Sequence, residues 1–381
     1  MFSSRTNSIN SGLQISQKML KDRINLAMIE MQNNIIKTPC ERTYLLNEDD
    51  GINLCLKKEN RQVTGSFEAR SALYALLKLS DAQKRNGVIS ASTADFALSL
   101  CHFGDKLKIP VTVVLPTTTQ LKIHTYQWTT ATMIFKGDDL NQARLFALML
   151  AKEKTMHYIK RCHTNMIIGY GTLAMEIMEE VPFLEAVLVP YDKTELIRSF
   201  NMIMKNTNIQ ILTIQPQDIK SDEDVQSEGQ IKVEKSLIAN AMLLLFEKEK
   251  CVVDIGGATC LAAMLDDSVQ HKLKRKRVVV VLPSCHIDMT NLVQYVEQAL
   301  ISKHCLMEFT LMISKQQPSI AELHNMLVQL KVTIKNIQIQ QKQTSMSKIS
   351  VKVVCEIKNK QHAEIITDFI KLKYKHINIM S

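Results

Sequence analysis

Short apolar runs alternate along most of the chain with segments whose apolar residues recur at helical spacing. Residues 88–91, 111–115 and 278–282 are such runs, and they carry no charged side chain. Strands that are buried on both faces have this composition, and parallel strands need a helical crossover between them. The pattern therefore predicts βαβ units, and with them an α/β fold built on a mostly parallel sheet.

The rhythm changes after residue 305. Helical spacing at 319–330 and 363–372 is interleaved with strand-like segments at 307–313, 332–340, 349–357 and 377–380. The order β-α-β-β-α-β predicts a small ferredoxin-like domain. The predicted divisions of the 381-residue chain are a polar N-terminal tail (1–24), a large α/β domain (25–300) and this small domain (306–381).

The cysteine content, the apolar runs and the N-terminal composition bear on the cellular location of the protein. The nine cysteines are odd in number and show no C-x-x-C spacing, which argues against a disulfide framework and predicts a reducing, cytoplasmic location. No apolar run reaches the roughly 18 residues that span a bilayer, so no membrane association is expected. The N-terminal 21 residues lack acidic side chains and are Ser-rich, which fits either a weak mitochondrial transit signal or a polar tail.

The net charge of +9 includes one dense basic run at 272–277. Such a run is typical either of a nucleic-acid patch or of a solvated loop that enters a strand. With one Trp and few other aromatic residues to stack on bases, the loop is the favoured interpretation, and no nucleic-acid partner is expected.

The most specific motif covers residues 57–72, which read Lys-Lys-Glu-Asn-Arg-Gln-Val-Thr-Gly-Ser-Phe-Glu-Ala-Arg-Ser-Ala. This segment resembles the cofactor-attachment segment of the pyridoxal-phosphate-dependent L-threonine/L-serine ammonia-lyases, the family of threonine dehydratases and serine racemases. Further matches follow in family order at 37–39, 169–177 and 278–288.

The resemblance implies a two-lobed fold of the tryptophan-synthase-β type (fold type II) with a C-terminal ferredoxin-like ACT domain. It also implies pyridoxal phosphate as the family cofactor and an amino-acid ligand. The family oligomerises, so a homo-oligomer or a hetero-oligomer with a family paralogue is expected.

Position 68 departs from the family motif in the residue that performs the chemistry. The resemblance puts there a lysine that forms a Schiff base with the cofactor and then acts as a general base. This chain has Glu68, and a carboxylate forms no imine. The preceding Ser66 and Phe67 match the family's substrate and cofactor contacts.

The phosphate-binding segment departs as well. The family has four consecutive glycines where this chain has Asp192, Lys193, Thr194 and Glu195. Side chains with a Cβ block the close approach of backbone to phosphate, and two of the replacements are acidic. Lys193 alone could attract a phosphate, as a point charge.

Two further pocket positions differ. In the family's S-A-G-N-H segment, Ser92 is kept as the substrate-binding serine, whereas Asp95 replaces an amide donor and, when ionised, only accepts hydrogen bonds. The family serine that faces the pyridine nitrogen matches Pro283, which has no hydroxyl. Four losses at separated places thus converge on one predicted pocket.

Two functional hypotheses follow. The first is a non-catalytic homologue with a regulatory or structural role. The second is an active ammonia-lyase for L-serine or L-threonine in which another lysine, such as Lys193, is recruited.

Other candidate sites carry weaker signals. The polar segment 215–235 predicts a surface loop or disordered insert, and its acidic residues 218 and 222–224 fit a solvated loop better than a metal site, so no metal is predicted. Pro318, where ACT domains usually have a glycine, puts effector binding in doubt. Cys260 and Cys285 lie near the predicted pocket but show no base partner, and His286 is interpreted as a surface or core residue.

Overall fold

A computed structural model describes residues 17–46, 51–119, 129–160, 163–219, 229–314, 319–340, 348–374 and 377–380. Its internal contacts divide the chain into two compact units, Met1–Asp288 and Met289–Ser381. The acidic residues 222–224 and the loop residues 316–318 lie outside the described ranges.

The first unit alternates strands and helices, as the sequence predicts. Its strands are Cys40–Arg42 (β1), Asn53–Lys57 (β2), Val88–Ala91 (β3), Val111–Leu115 (β4), Thr132–Phe135 (β5), His157–Tyr158 (β6), Ala186–Pro190 (β7), Gln210–Pro216 (β8), Gly229–Val233 (β9) and Arg277–Val281 (β10). Its helices are Gln17–Met31 (α1), Glu68–Leu77 (α2), Asp81–Asn86 (α3), Ala94–Leu107 (α4), Leu140–Glu153 (α5), Thr164–Glu180 (α6), Thr194–Met204 (α7), Lys235–Glu247 (α8), Ile255–Ala263 (α9) and Asp267–Lys272 (α10).

The strands form two sheets. The larger has the order β1-β2-β10-β7-β8-β9, in which every neighbouring pair is parallel except β1 with β2. The smaller has the order β5-β4-β3-β6 and is wholly parallel. The predicted parallel α/β architecture of this unit is confirmed, and β3, β4 and β7 are buried along their whole length, as their apolar composition requires.

Helices α2 and α6 pack together through a glycine. A Cβ on Gly169 would lie 2.6 Å from Ser71 Cα and 2.8 Å from the Arg70 carbonyl oxygen, so the two backbones approach more closely than any other residue would allow. This close approach brings the polar side chains of both helices into one buried network.

Arg70 is the centre of that network and is fully buried. Its Nε and Nη2 donate to the two carboxylate oxygens of Glu59 at 2.8 Å, and its Nη1 and Nη2 donate to Glu176 at 2.7 and 2.8 Å. Lys57 donates to the same Glu176 at 2.9 Å and to Glu180 at 2.8 Å. Burial alone would raise the pKa of Glu176, but Arg70 and Lys57 lower it below its ordinary value, so the carboxylate stays charged.

The second unit has the β-α-β-β-α-β order that the sequence predicts, preceded by one helix. Its elements are Met289–Ser302 (α11), Leu306–Ser314 (β11), Ser319–Gln329 (α12), Thr333–Gln340 (β12), Lys348–Glu356 (β13), Lys360–Lys373 (α13) and Ile377–Met380 (β14). The four strands form an antiparallel sheet in the order β12-β13-β11-β14. Apolar residues of the strands and of α12 and α13 form its core. Helix α11 belongs to this unit, although residues up to 300 are predicted from the sequence to belong to the large domain.

Two parts of the prediction differ from the structure. Residues 229–233, predicted as part of a loop, form β9, an edge strand whose inner side chains are Ile231 and Val233. Its outer side chains are polar and exposed, so the segment shows no apolar run that would predict a strand. The segment 17–24, which the predicted divisions assign to the polar tail, belongs to α1, and Leu20 and Ile24 are buried.

Among the helices of the described ranges, none combines the length and the apolarity that crossing a membrane would need.

The buried network predicts a large effect of one charge. Replacing Glu176→Gln leaves Arg70 and Lys57 with one carboxylate fewer in a dry environment, so we expect a loss of about 3–5 kcal/mol in the free energy of unfolding. The matched control is Glu179→Gln. The Glu179 side chain is half-exposed, and its ion pair with the exposed Lys37 is long, with 4.0 Å between Oε2 and Nζ. We therefore expect a change below about 0.5 kcal/mol in the free energy of unfolding. Urea denaturation followed by circular dichroism measures both, and equal losses would show that the network is not a special source of stability.

Candidate functional site

Glu68 stands at the position where the motif places the lysine. It is the first residue of α2 and is buried. Its Oε2 accepts a hydrogen bond from the hydroxyl of the buried Tyr170 in α6. The Tyr170 ring also packs on Phe67, with ring centroids 5.3 Å apart, and the backbone N–H of Glu68 donates to Ser66 Oγ at 3.3 Å. Position 68 therefore presents a carboxyl group that is enclosed and hydrogen-bonded, and it offers no amine.

Asp95 and His286 join the two sheets of the first unit. Asp95 lies in the first turn of α4, after β3 of the smaller sheet, and His286 follows β10 of the larger sheet. His286 Nδ1 lies 3.0 Å from Asp95 Oδ1 and 3.3 Å from Ser284 Oγ. Because the carboxyl ends of parallel strands carry the connecting loops, this contact lies where ligand sites of open α/β sheets usually form.

The electrostatics of this contact favour a charged pair. Burial alone would raise the pKa of Asp95, but the hydrogen bond with His286 lowers it below its ordinary value. Burial alone would lower the pKa of His286, but hydrogen bonds with Asp95 and Cys285 raise it to about 10. At neutral pH the structure therefore holds an imidazolium against a carboxylate.

Lys193 is held between two carboxylates. Its Nζ lies 3.0 Å from Asp192 Oδ2 and 3.5 Å from Asp254 Oδ2. Asp254 also caps α9, accepting a hydrogen bond from the backbone N–H of Gly257 at 2.8 Å, and burial raises the pKa of Asp254 to about 6. Burial alone would lower the pKa of Lys193, but Asp254 and Asp192 raise it above its ordinary value. A nucleophilic lysine needs an unprotonated amine, so this environment opposes such a role.

Residues 192–195 form the turn from β7 into α7, the place of the family's phosphate site. The N-terminus of a helix attracts anions through its free N–H groups. Here Asp192 and Glu195 put carboxylates at that end, and Thr194 Oγ1 donates to Glu195 Oε2 at 3.0 Å. Pro283, at the position where the family has a serine, packs against the start of α9. Its Cδ lies 3.2 Å from where a Cβ on Gly257 would lie. A proline has no hydroxyl to offer to a ligand.

The residues present do not fit pyridoxal phosphate. The attachment position carries a buried carboxyl group, the phosphate position carries two acidic side chains, and the position facing the ring nitrogen carries a proline. Lys193, the cation at the phosphate position, is already paired with Asp192 and Asp254.

The structure brings some of the predicted site residues together and leaves others apart. Lys193 and Asp254 interact electrostatically with each other, and each of them interacts with Asp95 and Asp192. Ser92 instead donates to the neighbouring Thr93 carbonyl oxygen at 2.8 Å. Within the described ranges, no three His, Cys, Asp or Glu side chains are placed to hold a metal ion.

Three residues of the site were not predicted from the sequence. Asp254 had a readable signal, because an Asp shortly before an apolar helical segment is a typical N-cap. His286 had a weaker one, since it follows a strand end where connecting loops converge. Tyr170 gave no signal, because its role depends on α6 crossing the start of α2.

The sequence of this chain is similar to those of known enzymes. The family profile described as pyridoxal-phosphate dependent enzyme matches residues 31–231. The chain is 27% identical over 319 residues to L-threonine ammonia-lyase of Thermotoga maritima, covering 73% of this chain and 78% of that protein. It is 28% identical over 322 residues to a catabolic L-threonine dehydratase of Staphylococcus aureus, covering 73% and 93%.

Solved structures share the fold. Serine racemase from Dictyostelium discoideum superposes with a TM-score of 0.64 at 24% identity, over 71% of this chain and 98% of that one. The processed form of threonine deaminase isoform 2 from Solanum lycopersicum superposes with a TM-score of 0.65 at 21% identity, over 74% and 89%. The predicted two-lobed α/β fold of this enzyme class is confirmed.

The His286–Asp95 pair predicts a pH dependence of stability. Because the pKa of His286 is raised from 6.5 to about 10, its contribution is complete below pH 6.5 and is lost as the pH rises through about 10. Its share of the slope is at most about 1.4 kcal/mol per pH unit. Denaturation between these pH values should show a smaller loss of stability for His286→Gln than for the unmodified chain.

His102→Gln is the control for this prediction, because burial lowers the pKa of His102 below its ordinary value, the opposite direction to the shift of His286. If His286→Gln and His102→Gln kept the same pH slope as the unmodified chain, the pairing of His286 with Asp95 would be wrong.

Proposed function

This chain belongs to the family of pyridoxal-phosphate-dependent enzymes, and from that premise we propose that it is a non-catalytic homologue of the L-threonine/L-serine ammonia-lyases. The observation that carries the proposal is the buried Glu68 carboxyl group, which accepts a hydrogen bond from Tyr170 where the family places its lysine. A carboxyl group forms no imine, so the covalent step of the family has no nucleophile at this position.

The charges of the site support the same proposal. In the alternative hypothesis Lys193 replaces the missing lysine, but its ammonium group pairs with Asp192 and Asp254, which raise its pKa. Lys57, another lysine of the motif segment, is buried and donates three hydrogen bonds, to Glu176, Glu180 and the Thr38 carbonyl oxygen. The Lys193 amine is therefore held as a cation, and the Lys57 amine is already engaged by three acceptors.

The positions of the family motifs divide into two groups, those where this chain matches and those where it differs. Lys57, Glu59 and Arg70 form the buried ion network that joins β2, α2 and α6. The positions that differ, such as 68 and 192–195, are those that would contact cofactor. A chain with this division keeps the scaffold, and its proposed role is that of a regulatory or structural subunit, assembled with a catalytic paralogue or with a second copy.

Cofactor attachment tests the proposal directly. The purified full chain is incubated with pyridoxal phosphate, reduced with borohydride, digested and analysed by peptide mass spectrometry, with a threonine ammonia-lyase treated in parallel as positive control. We expect no stoichiometric pyridoxyl adduct on any one lysine of this chain. A stoichiometric adduct on Lys193 or another single lysine would contradict the proposal and identify the substitute residue.

Ammonia release from L-serine and L-threonine gives a second, independent prediction. We expect no release above the enzyme-free rate from the unmodified chain or from Glu68→Lys, because the latter still lacks a phosphate site. The comparison variant combines Glu68→Lys with Asp192→Gly, Lys193→Gly, Thr194→Gly and Glu195→Gly. Turnover in this variant alone would locate the loss in these five positions, whereas turnover in the unmodified chain would refute the proposal.

A further inference from the structure

Cys285 differs from the other cysteines of the described chain in its surroundings. Five of these cysteines are buried, Cys40 and Cys285 are partly exposed, and Cys305 is exposed. Burial raises the pKa of Cys40 to about 12, which keeps that thiol protonated and unreactive at neutral pH. Cys285 lies in the loop after β10, next to His286 in the chain, and its backbone N–H donates to the Gly65 carbonyl oxygen at 2.9 Å.

The thiol of Cys285 and the imidazole of His286 face the same point. A Cβ on Gly65 would lie 2.5 Å from Cys285 Sγ and 3.2 Å from His286 Nε2. Gly65 has a φ of +70°, so a glycine is favoured there for its conformation as well as for this space. The side of Gly65 that lacks a side chain is therefore occupied by a sulfur atom and a ring nitrogen together.

Asp95 fixes the orientation of that imidazole. It holds Nδ1 at 3.0 Å, which leaves Nε2 as the nitrogen on the side of the thiol. The carboxylate comes from α4 in one sheet and the Cys-His pair from the loop after β10 in the other. The three side chains thus repeat the order of a nucleophile, a histidine and a carboxylate that orients the histidine.

The imidazole beside the thiol is positively charged. Hydrogen bonds with Asp95 and Cys285 raise the pKa of His286 to about 10 against the effect of burial, so the ring is an imidazolium at neutral pH. Both ring nitrogens of an imidazolium donate hydrogen bonds, so Nε2 presents a donor on the side where Sγ lies. Lys193, which lowers the pKa of Asp95, is the other cation in this cluster, and Asp254 and Asp192 neutralise it.

We infer that Cys285 is a nucleophilic thiol that bonds covalently to small molecules carrying an electrophilic carbon with a leaving group, and that Asp95 positions His286 beside it. In the step, Sγ attacks the carbon and an S–C bond forms. The bond from carbon to the leaving group breaks, the leaving group departs with the electron pair, and the thiol proton is released to solvent. No oxidant or reductant is needed. The inference does not depend on whether pyridoxal phosphate binds, because the test contains none.

Iodoacetamide is the probe. The full chain is treated under native conditions with limiting reagent, quenched at intervals and digested, and the alkylated fraction of each cysteine peptide is followed by mass spectrometry. The matched control within the same molecule is Cys305, which is more exposed than Cys285 but has no histidine–carboxylate pair against its thiol among its described contacts. We expect Cys285 to react about tenfold faster than Cys305, although exposure alone predicts the reverse.

Variants separate reactivity from folding. His286→Gln and Asp95→Asn should each bring the rate at Cys285 down about tenfold while the rate at Cys305 stays unchanged. A loss of structure would instead raise the rates of the buried cysteines, such as Cys101 and Cys260, so the same digest reports it. The rate at Cys285 should also rise less steeply with pH in the unmodified chain than in His286→Gln, a difference that a purely structural histidine would not produce.

The inference is overturned if Cys285 reacts no faster than Cys305 in the unmodified chain, a comparison that needs no variant. It is also overturned if His286→Gln folds, as judged by unreactive Cys101 and Cys260, and leaves the rate and pH slope at Cys285 unchanged.

Discussion

The buried pairing of Arg70 with Glu59 and Glu176 is the interaction on which the rest of the first unit depends. It joins the segment after β2 to helices α2 and α6, and α6 in turn carries the tyrosine that binds Glu68. A guanidinium in a dry interior needs two carboxylates with good geometry, because a single unpaired charge there costs several kcal/mol. The network therefore specifies how these elements meet, and the glycine contact between α2 and α6 lets them meet closely enough.

The same scaffold explains why a family motif persists around an altered site. Most of its charged residues have structural partners in this molecule: Lys57 pairs with Glu176 and Glu180, and Lys58 pairs with Glu41 and Glu249. Removing one of them would leave a partly buried charge without compensation. Position 68 is different, because its carboxyl group accepts a hydrogen bond from a hydroxyl of the protein itself, that of Tyr170. The chemistry at this position changed while the partners of the neighbouring charges stayed in place.

The altered pocket is a connected set of charges. Asp95 pairs with His286, and Lys193 pairs with Asp192 and Asp254, so each of these five groups has an opposite charge close by. The proposed absence of catalysis starts from Glu68, and this arrangement adds to it by pairing Lys193; the inferred thiol reactivity depends on the same arrangement through His286. Asp192, one of the two carboxylates that oppose a phosphate, also helps to keep Lys193 positively charged, and Asp95 does the same for His286.

The sequence by itself determined the fold class, because continuous apolar runs and helical periodicity follow from burial and backbone geometry alone. It also determined that positions 68, 192–195 and 283 carry the wrong chemistry for the family cofactor, since residue type decides what can form an imine or cradle a phosphate. Edge strand β9 was not predicted, because its outer side chains are polar and solvated and the segment therefore lacks a continuous apolar run. Only the tertiary structure decided the partners: Tyr170 for Glu68, and Asp95 for His286, 191 residues away. Such contacts join elements that are far apart in the sequence, and no local pattern predicts which side chains will meet across a packed interface.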